Sequence, residues 1–455
     1  MTPGGRIQAA IEALDFARME SRPADRVLHD YFRDRRFIGG KDRRAITEMF
    51  WSAMRNRARL ASDCAIAEGR NVTDAQVRAE SGRRLMIALC VAEKVPNERD
   101  LALFTGEAYA PVALDKREVE WVTAMRQVKA SDRPAWAWAE TPEWLWPRFQ
   151  EIYAGAEEAE IKAARSEASV DLRINTLKAE RSSVALRLSA EGVATEPMRF
   201  SPWGLRCTER ANVAATQAFQ DGWVEVQDEA AQLAALLVGA KPGMSVIDFC
   251  AGAGGKTLAL AAAMNNTGRL TACDISQSRL DRSAVRLRRA GAFNVTRRAL
   301  SNESDKWVKR HKETYDRVMV DAPCSGSGTW RRNPDARWRT TPEDLLQLQG
   351  VQGRILASAA RLVKPGGRLV YATCSLFTEE NEVQVEAFLG SRDDFALLPV
   401  AAAWPEDQGA VPAELAEMQM LRLTPGRHGT DGFFVAVMER AAKPDEAENA
   451  QGDTP

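Results

Sequence analysis

The chain has 455 residues, more than a single hydrophobic core organises, so two or three domains are expected. Its 45% hydrophobic and 27% charged residues exclude a disordered chain, and no apolar run approaches the ~20 residues of a membrane-spanning helix. The net charge of −1 does not advertise a nucleic-acid partner, although local patches matter more to a polyanion than this bulk figure.

The first residues, "MTPGGRIQAAIEALDF", lack the charged n-region and apolar h-region of a secretory signal. The seven cysteines are scattered and odd in number, with no C-x-x-C pair, and there are only three histidines. Neither a disulfide framework nor a zinc site is expected, and the chain reads as a reduced, cytoplasmic protein without metal.

Residues 6 to about 160 carry helical periodicity and almost no strand signal. In "RVLHDYFRDRRFIGGKDRRAITEMF", Val27, Leu28, Tyr31 and Phe32 share one face and Ile46, Met49 and Phe50 another, with Gly39 and Gly40 parting the two helices. This predicts an all-α bundle over 1–160. "PAWAWAETPEWLWPRF" falls where a domain junction is expected, and its tryptophans are read as packing. From about 169, "SVDLRINTL" alternates as a strand and "RSSVALRLSAEG" reads as a helix ending at Gly192, giving a small α+β module over 161–227. "QDEAAQLAALLVGAKPG" opens a helix near 228. The strands "SVIDFC", "RLTACDI", "NVTRRAL", "RVMVDAP", "RLVYATC" and "GFFVAVM" then alternate with helices, which predicts an α/β Rossmann-like domain over 228–440. The polar "KPDEAENAQGDTP" predicts a disordered tail over 441–455.

"VIDFCAGAGGKTLAL" is a strand, a Gly-rich turn and a helix start, in which Gly252, Gly254 and Gly255 let backbone approach a ligand. A phosphate-binding P-loop requires glycine where Cys250 stands, and a dinucleotide fingerprint requires its third glycine where Thr257 stands. Gly252 and Gly254 still fit the start of that fingerprint, and a third reading is S-adenosylmethionine, whose methionine end lies against such a loop in the common methyltransferase fold. Asp274, at the end of the next strand and 22 residues after Gly252 (274 − 252), suits a ribose diol. A tight turn with a capping Asp is the plainer alternative.

Cys324 in "DAPCSGSG" and Cys374 in "YATCS" both fall at the carboxyl ends of predicted parallel strands, where such sheets bind ligands. Cys64, Cys90, Cys207, Cys250 and Cys273 are read as small buried residues. Two cysteines beside a methyl donor match a specific chemistry. Carbon 5 of a pyrimidine is a poor nucleophile until a thiolate adds to carbon 6, and sulfur both attacks and leaves well. Asp321, in the same loop as Cys324, can stabilise the charge pushed towards ring nitrogen 3 if it is kept protonated or hydrogen-bonded.

"DFCAGAGGKT", "DAPCSGSGTWRRNPD" and "TCS", together with "LRINTL", "VQDEAAQLAALL" and "HGTDGFFVAVMER", resemble the motifs of the RsmB/Nop/Sun family of RNA 5-methylcytosine methyltransferases. The resemblance spans roughly 170 to 440, and residues 20 to 60 are similar to the NusB-like helical domain of the RsmB branch. It implies a class I S-adenosylmethionine-dependent fold and an RNA-binding role for the α+β module. It also implies that Cys374 attacks carbon 6, Cys324 releases the product, Asp321 holds the base, and Lys256 lies near base and cofactor. The cofactor set it implies is Cys250, Ala251, Gly252, Ala253, Gly254, Gly255, Lys256, Asp274, Asn302 and Asp321. Ala253 stands where the family carries proline, so a change in loop stiffness is expected, while the glycines remain. Asn302 stands where the family often carries an Asp towards adenine.

"TWRRNPDARWR" offers Trp330, Arg331, Arg332 and Arg337, with Trp338 and Arg339, as a base-stacking and phosphate-binding surface. Two further basic runs contain Arg33, Arg35, Arg36, Lys41, Arg43 and Arg44, and Arg279, Arg282, Arg286 and Arg289, with a solvated face as the alternative for each. The expected activity is methylation of cytosine carbon 5 in small-subunit ribosomal RNA by a monomer. Transfer RNA is the alternative substrate, a non-catalytic RNA-binding assembly factor the alternative class, and a DNA methyltransferase a third.

Overall fold

The computed structural model describes residues 1–92, 101–107 and 109–443. The tail expected over 441–455 lies, from 444 on, outside the described residues. The chain divides into two compact units, Met1–Glu167 joined by Trp330–Thr340, and Ala168–Thr329 with the chain from Thr341 onwards.

The first unit is helical. Pro3–Met19, Ala24–Asp34, Gly40–Arg55, Arg57–Ala67, Gly82–Ala92 and Lys116–Met125 pack around Ile7, Leu14, Ile46, Phe50, Leu60, Leu85 and Met86. Local chemistry sets the helix starts. The Thr2 hydroxyl accepts the Gly5 N–H, and Asp115 with Glu118 forms a capping box. Gly82 is required by packing: a Cβ there would lie 2.4 Å from the Ile11 carbonyl oxygen. Tyr31, Val27 and Leu28 are buried and Phe32 half-buried, as the apolar periodicity predicts. Helix continues to Arg165, past the expected limit of 160.

Residues 330–340 depart from expectation. They lie within the sequence of the Rossmann-like domain yet belong to the helical unit. Trp338 is part of its core. The Arg337 guanidinium donates to the Glu140 carbonyl at 2.6 Å, and Asp335 accepts the Ala24 N–H at 3.1 Å. Glu140 is itself fully buried, its carboxylate accepting the Ala58 and Arg59 N–H groups at 2.8 and 2.9 Å.

The second unit holds two sheets. β1 (Asp171–Ile174), β2 (Thr195–Pro197), β3 (Gly204–Cys207) and β4 (Val224–Val226) form an antiparallel sheet in the order β2-β3-β1-β4. Leu172, Ile174, Val184, Leu188, Leu205 and Val224 fill its core. The large sheet contains β5 (Ser245–Asp248), β6 (Arg269–Asp274), β7 (Val295–Ala299), β8 (Tyr315–Asp321), β9 (Val363–Thr373), β10 (Phe395–Leu398), β11 (Leu421–Leu423) and β12 (Phe433–Arg440). Its order is β10-β12-β9-β8-β5-β6-β7, with β11 paired to β12. Strands β5 to β9 run parallel and β12 antiparallel to β9. This is the doubly wound α/β Rossmann-like architecture that the alternating pattern predicts. The short β10 and β11 were not legible, since each is too brief for a clear period.

Two features fix the small sheet to the large domain. The Asn175 amide donates to the Gly222 and Ala290 carbonyls, both at 2.8 Å. Buried Arg173 donates to the Gly255 carbonyl at 2.6 Å, so strand β1 reaches the Gly-rich turn.

Candidate active site

The strand order puts the carboxyl ends of β5, β6, β8 and β9 along one edge of the sheet, and each end delivers a chemically capable side chain. After β5 the chain turns through Gly252 at φ +54° and Gly254 at φ +83°, left-handed conformations that favour glycine. A Cβ at Gly254 would also approach Ser283 to 2.9 Å, whereas Gly252 faces open space. Helix Gly255–Ala263 begins immediately afterwards. The loop does not depend on the absent proline for rigidity, because Arg286 donates to the Ala253 carbonyl at 2.9 Å and is itself paired with Glu225 at 3.1 Å. The Ala251 N–H donates to the Cys273 carbonyl at 2.7 Å, and Cys250 is half-buried beneath the turn.

At the end of β6 the Asp274 carboxylate accepts the Gly252 N–H at 2.8 Å through one oxygen and the Ser276 N–H at 2.7 Å through the other. Each oxygen retains capacity for a second donor, so the fixed carboxylate fits a ribose diol. Ile275, the next residue, is 71% exposed, an apolar side chain beside that carboxylate. Asn302, after β7, is exposed, and its side-chain oxygen accepts the Ser304 N–H at 2.8 Å. That oxygen serves the local turn.

The β5 carboxylate, Asp248, was missed by sequence reasoning. It is fully buried; one oxygen accepts the Thr257 hydroxyl at 2.7 Å and the other is a buried atom without a partner. Burial pushes its carboxyl up to about 7. An orphaned acceptor beneath the Gly-rich turn suits a cofactor bearing a cationic group.

Lys256 Nζ lies 2.7 Å from Asp321 Oδ2 and 5.0 Å from the centre of the Phe433 ring. Burial opposes the lysine charge, but the charge and hydrogen bond of Asp321 outweigh it, and the ammonium is held above its ordinary range. Phe433, on β12, was also missed, because a single apolar strand residue carries no motif.

The two cysteines meet. Cys324 Sγ and Cys374 Sγ are 3.4 Å apart, brought together because β8 and β9 are parallel neighbours. Their loops are tied by backbone: the Gly328 N–H donates to the Cys374 carbonyl at 2.9 Å, and the Gly432 N–H to the Gly328 carbonyl at 2.9 Å. The hydrogen bond with Cys374, then burial, holds Cys324 well above an ordinary thiol. Cys64, Cys207 and Cys273 are buried and Cys90 half-buried; burial pushes up the first three and Cys250 as well. Among the described residues no group of three or more His, Cys, Asp or Glu is placed to hold a metal, and no helix is long and apolar enough to cross a membrane.

The proposed RNA surface is corrected. Trp330, Arg331, Arg337 and Trp338 are buried, and Arg332 is half-buried. Trp338 packs in the core of the helical unit and Trp330 lies against Phe149, so the two rings do not present a stacking face. In the second basic run Arg286 and Arg289 are bound to Glu225, and Arg289 lies 3.9 Å over the Phe219 ring; Arg279 and Arg282 are exposed. In the first, Arg33 pairs with Asp30 and Arg35 covers the Tyr31 ring, whereas Arg36, Lys41 and Arg44 are exposed.

Comparison with known proteins matches this geometry to a family. The profile of 16S rRNA methyltransferase RsmB/F matches residues 235–439, and that of the RsmF/B-like ferredoxin-like domain matches residues 141–214. The probable ribosomal RNA small subunit methyltransferase B of Synechocystis sp. is 38% identical over 303 residues, 66% of this chain and 67% of that protein. The crystal structure of PH0851 is 28% identical with a TM-score of 0.74, covering 97% of this chain and 99% of that one. A methyltransferase homologue from Pyrococcus horikoshii is 29% identical with a TM-score of 0.55, covering 65% and 94%. The stretch shared with the Synechocystis protein is thus about two-thirds of each sequence.

Proposed function

The chain belongs to the RsmB/F family of S-adenosylmethionine-dependent rRNA methyltransferases, and from that premise we propose that it methylates carbon 5 of a cytosine in small-subunit ribosomal RNA through a covalent cysteine adduct. We read it as a cytoplasmic protein. The observation that carries the proposal is the pair of thiols 3.4 Å apart at the ends of adjacent parallel strands, next to the Lys256–Asp321 pair.

Bound S-adenosylmethionine supplies the methyl group from its sulfonium, leaving a neutral thioether. Asp274 would hold its ribose, the turn from Cys250 to Gly255 its methionine end, and Asp248 with its open oxygen the cationic amine.

The residues of the chain do the rest. Cys374 adds as thiolate to carbon 6, forming the S–C bond while the 5,6 double-bond electrons move towards nitrogen 3. The Lys256 ammonium, oriented by the Asp321 carboxylate, meets the negative charge that reaches that edge of the ring. Carbon 5 then takes the methyl group and carries both methyl and hydrogen. A proton must leave carbon 5 and the S–C bond must break, with the electron pair returning to Cys374. Cys324 serves this step. While Cys374 is free, the contact between the sulfurs keeps Cys324 protonated. Once Cys374 is bonded to carbon 6 the larger part of that hold, the contact between the sulfurs, lapses; Cys324 gives up its proton to solvent, and its thiolate takes the proton from carbon 5. A cytosine in a helix must first be unstacked, at a cost of a few kcal/mol.

Transfer of labelled methyl to small-subunit ribosomal RNA, located by bisulfite mapping, tests the reading. Label on a position other than cytosine carbon 5, or none on RNA, would contradict it.

A further inference from the structure

Behind the two cysteines lies a carboxylate that the reaction above leaves unused. Glu380 is fully buried in the turn after Cys374. Its Oε2 accepts the Ser325 hydroxyl at 2.5 Å and also the Ser375 hydroxyl. Its Oε1 accepts the Ser325 N–H and the Gln352 amide, both at 2.9 Å. These serines directly follow Cys324 and Cys374, and their Oγ atoms are 3.2 Å apart. Gln352 also donates to the Pro323 carbonyl at 2.9 Å, so the residues on both sides of Cys324 are held.

The turn itself is fixed. The buried Tyr371 hydroxyl donates to the Glu380 carbonyl at 2.6 Å. Asn381 accepts the Thr373 hydroxyl at 2.5 Å and donates to the Ser375 carbonyl at 2.9 Å, gripping Cys374 from both flanks. A buried carboxylate without a cation among these partners is tolerated because its lone pairs are filled. The donors filling them come from both cysteine loops and from the helix Pro342–Ala359 behind them.

We propose that Glu380 is a positioning residue of the reaction, coupling the two cysteine loops through Ser325 and Ser375 and so setting the geometry between the attacking and releasing sulfurs. The inference rests on the two-cysteine reading of the site. Attack on carbon 6 and removal of the carbon 5 proton require two sulfurs placed on one ring, and misplacement by about 1 Å can cost ~100-fold in rate. An amide that keeps its oxygen on the Ser325 N–H and Gln352 turns its NH2 towards the Ser325 and Ser375 hydroxyls, which must then reverse from donating to accepting. Glu380→Gln therefore keeps the volume and weakens the coupling, replacing bonds to a carboxylate by neutral ones.

The test uses the full chain and RNA containing 5-fluorocytosine, which cannot lose a carbon 5 proton and so accumulates the adduct. Glu380→Gln should form adduct about 10–100-fold more slowly, with RNA and cofactor affinities unchanged within about twofold. Ser375→Ala should lose part of this rate, and adding it to Glu380→Gln should cost little more, as expected for residues acting as one unit. Adduct formation by Glu380→Gln at the wild-type rate, or a loss confined to RNA affinity, would overturn the proposal. If Glu380→Gln does not fold, the Ser325→Ala/Ser375→Ala double variant decides it by the same readout. If the wild-type protein forms no adduct, the two-cysteine reading fails on its own. Alkylation of the thiols by iodoacetamide then tests the clamp: a changed ratio of Cys324 to Cys374 labelling in Glu380→Gln supports it, and an unchanged ratio overturns it.

Discussion

Cys324 and Cys374 share one small volume, and the proposed reaction gives them separate roles. Cys324 is held as a thiol by its neighbour and by burial, which suits a group that acts only after the first sulfur has reacted. Asp321 and Lys256 form an ion pair that, in the proposed reaction, places the ammonium for the charge on the base. Asp321→Asn should lower kcat by about 100-fold, measured in single-turnover assays, because it removes the partner that orients the ammonium. Asp248 gives a pH signature. Its folded value, about 7, exceeds its ordinary value, so protonation favours the folded state. Its contribution is fully present below about pH 4 and is lost as pH rises towards 7. Urea unfolding of the cofactor-free protein should show that fall between pH 5 and about 7.5, and Asp248→Asn should flatten it. Lys256, Asp321 and the cysteines were legible because their motifs are local. Asp248 and Glu380 were not, since burial and partners 9 and 55 residues away give them their character.

At the scale of elements, the site is built where two turns cross. Gly328, in the loop after β8, passes against Gly432 just before β12, and a Cβ at Gly328 would lie 2.0 Å from the Gly432 carbonyl oxygen. Gly328→Ala should therefore destabilise the protein by ~1–3 kcal/mol in denaturant titration and slow adduct formation, because the same backbone bonds to Cys374. A glycine string in the sequence suggests a flexible loop; here one glycine is demanded by a crossing backbone. The parallel strands were readable from their apolar runs. The clamp of Arg286 on Ala253 was not, since helical spacing alone could not distinguish a solvated arginine from one turned inward.

At the scale of the molecule, the main revision concerns residues 330–340. Aromatic and basic residues in one string suggested an RNA surface, but the same composition serves a buried tie, with Arg337 bound to a carbonyl and Trp338 in the helical core. Burial cannot be read from composition when both uses call for arginine and tryptophan. Arg337→Ala should lower the unfolding temperature while leaving the salt dependence of RNA binding unaltered. A true phosphate contact would reduce the slope of log K against log salt by ~0.7–0.9. The central claim is that Cys374 attacks and Cys324 releases, and one denaturing gel of enzyme incubated with RNA and S-adenosylmethionine tests it directly. Cys324→Ala should give a slow-migrating protein–RNA band and Cys374→Ala none; a band from Cys374→Ala, or from neither variant, would contradict the account.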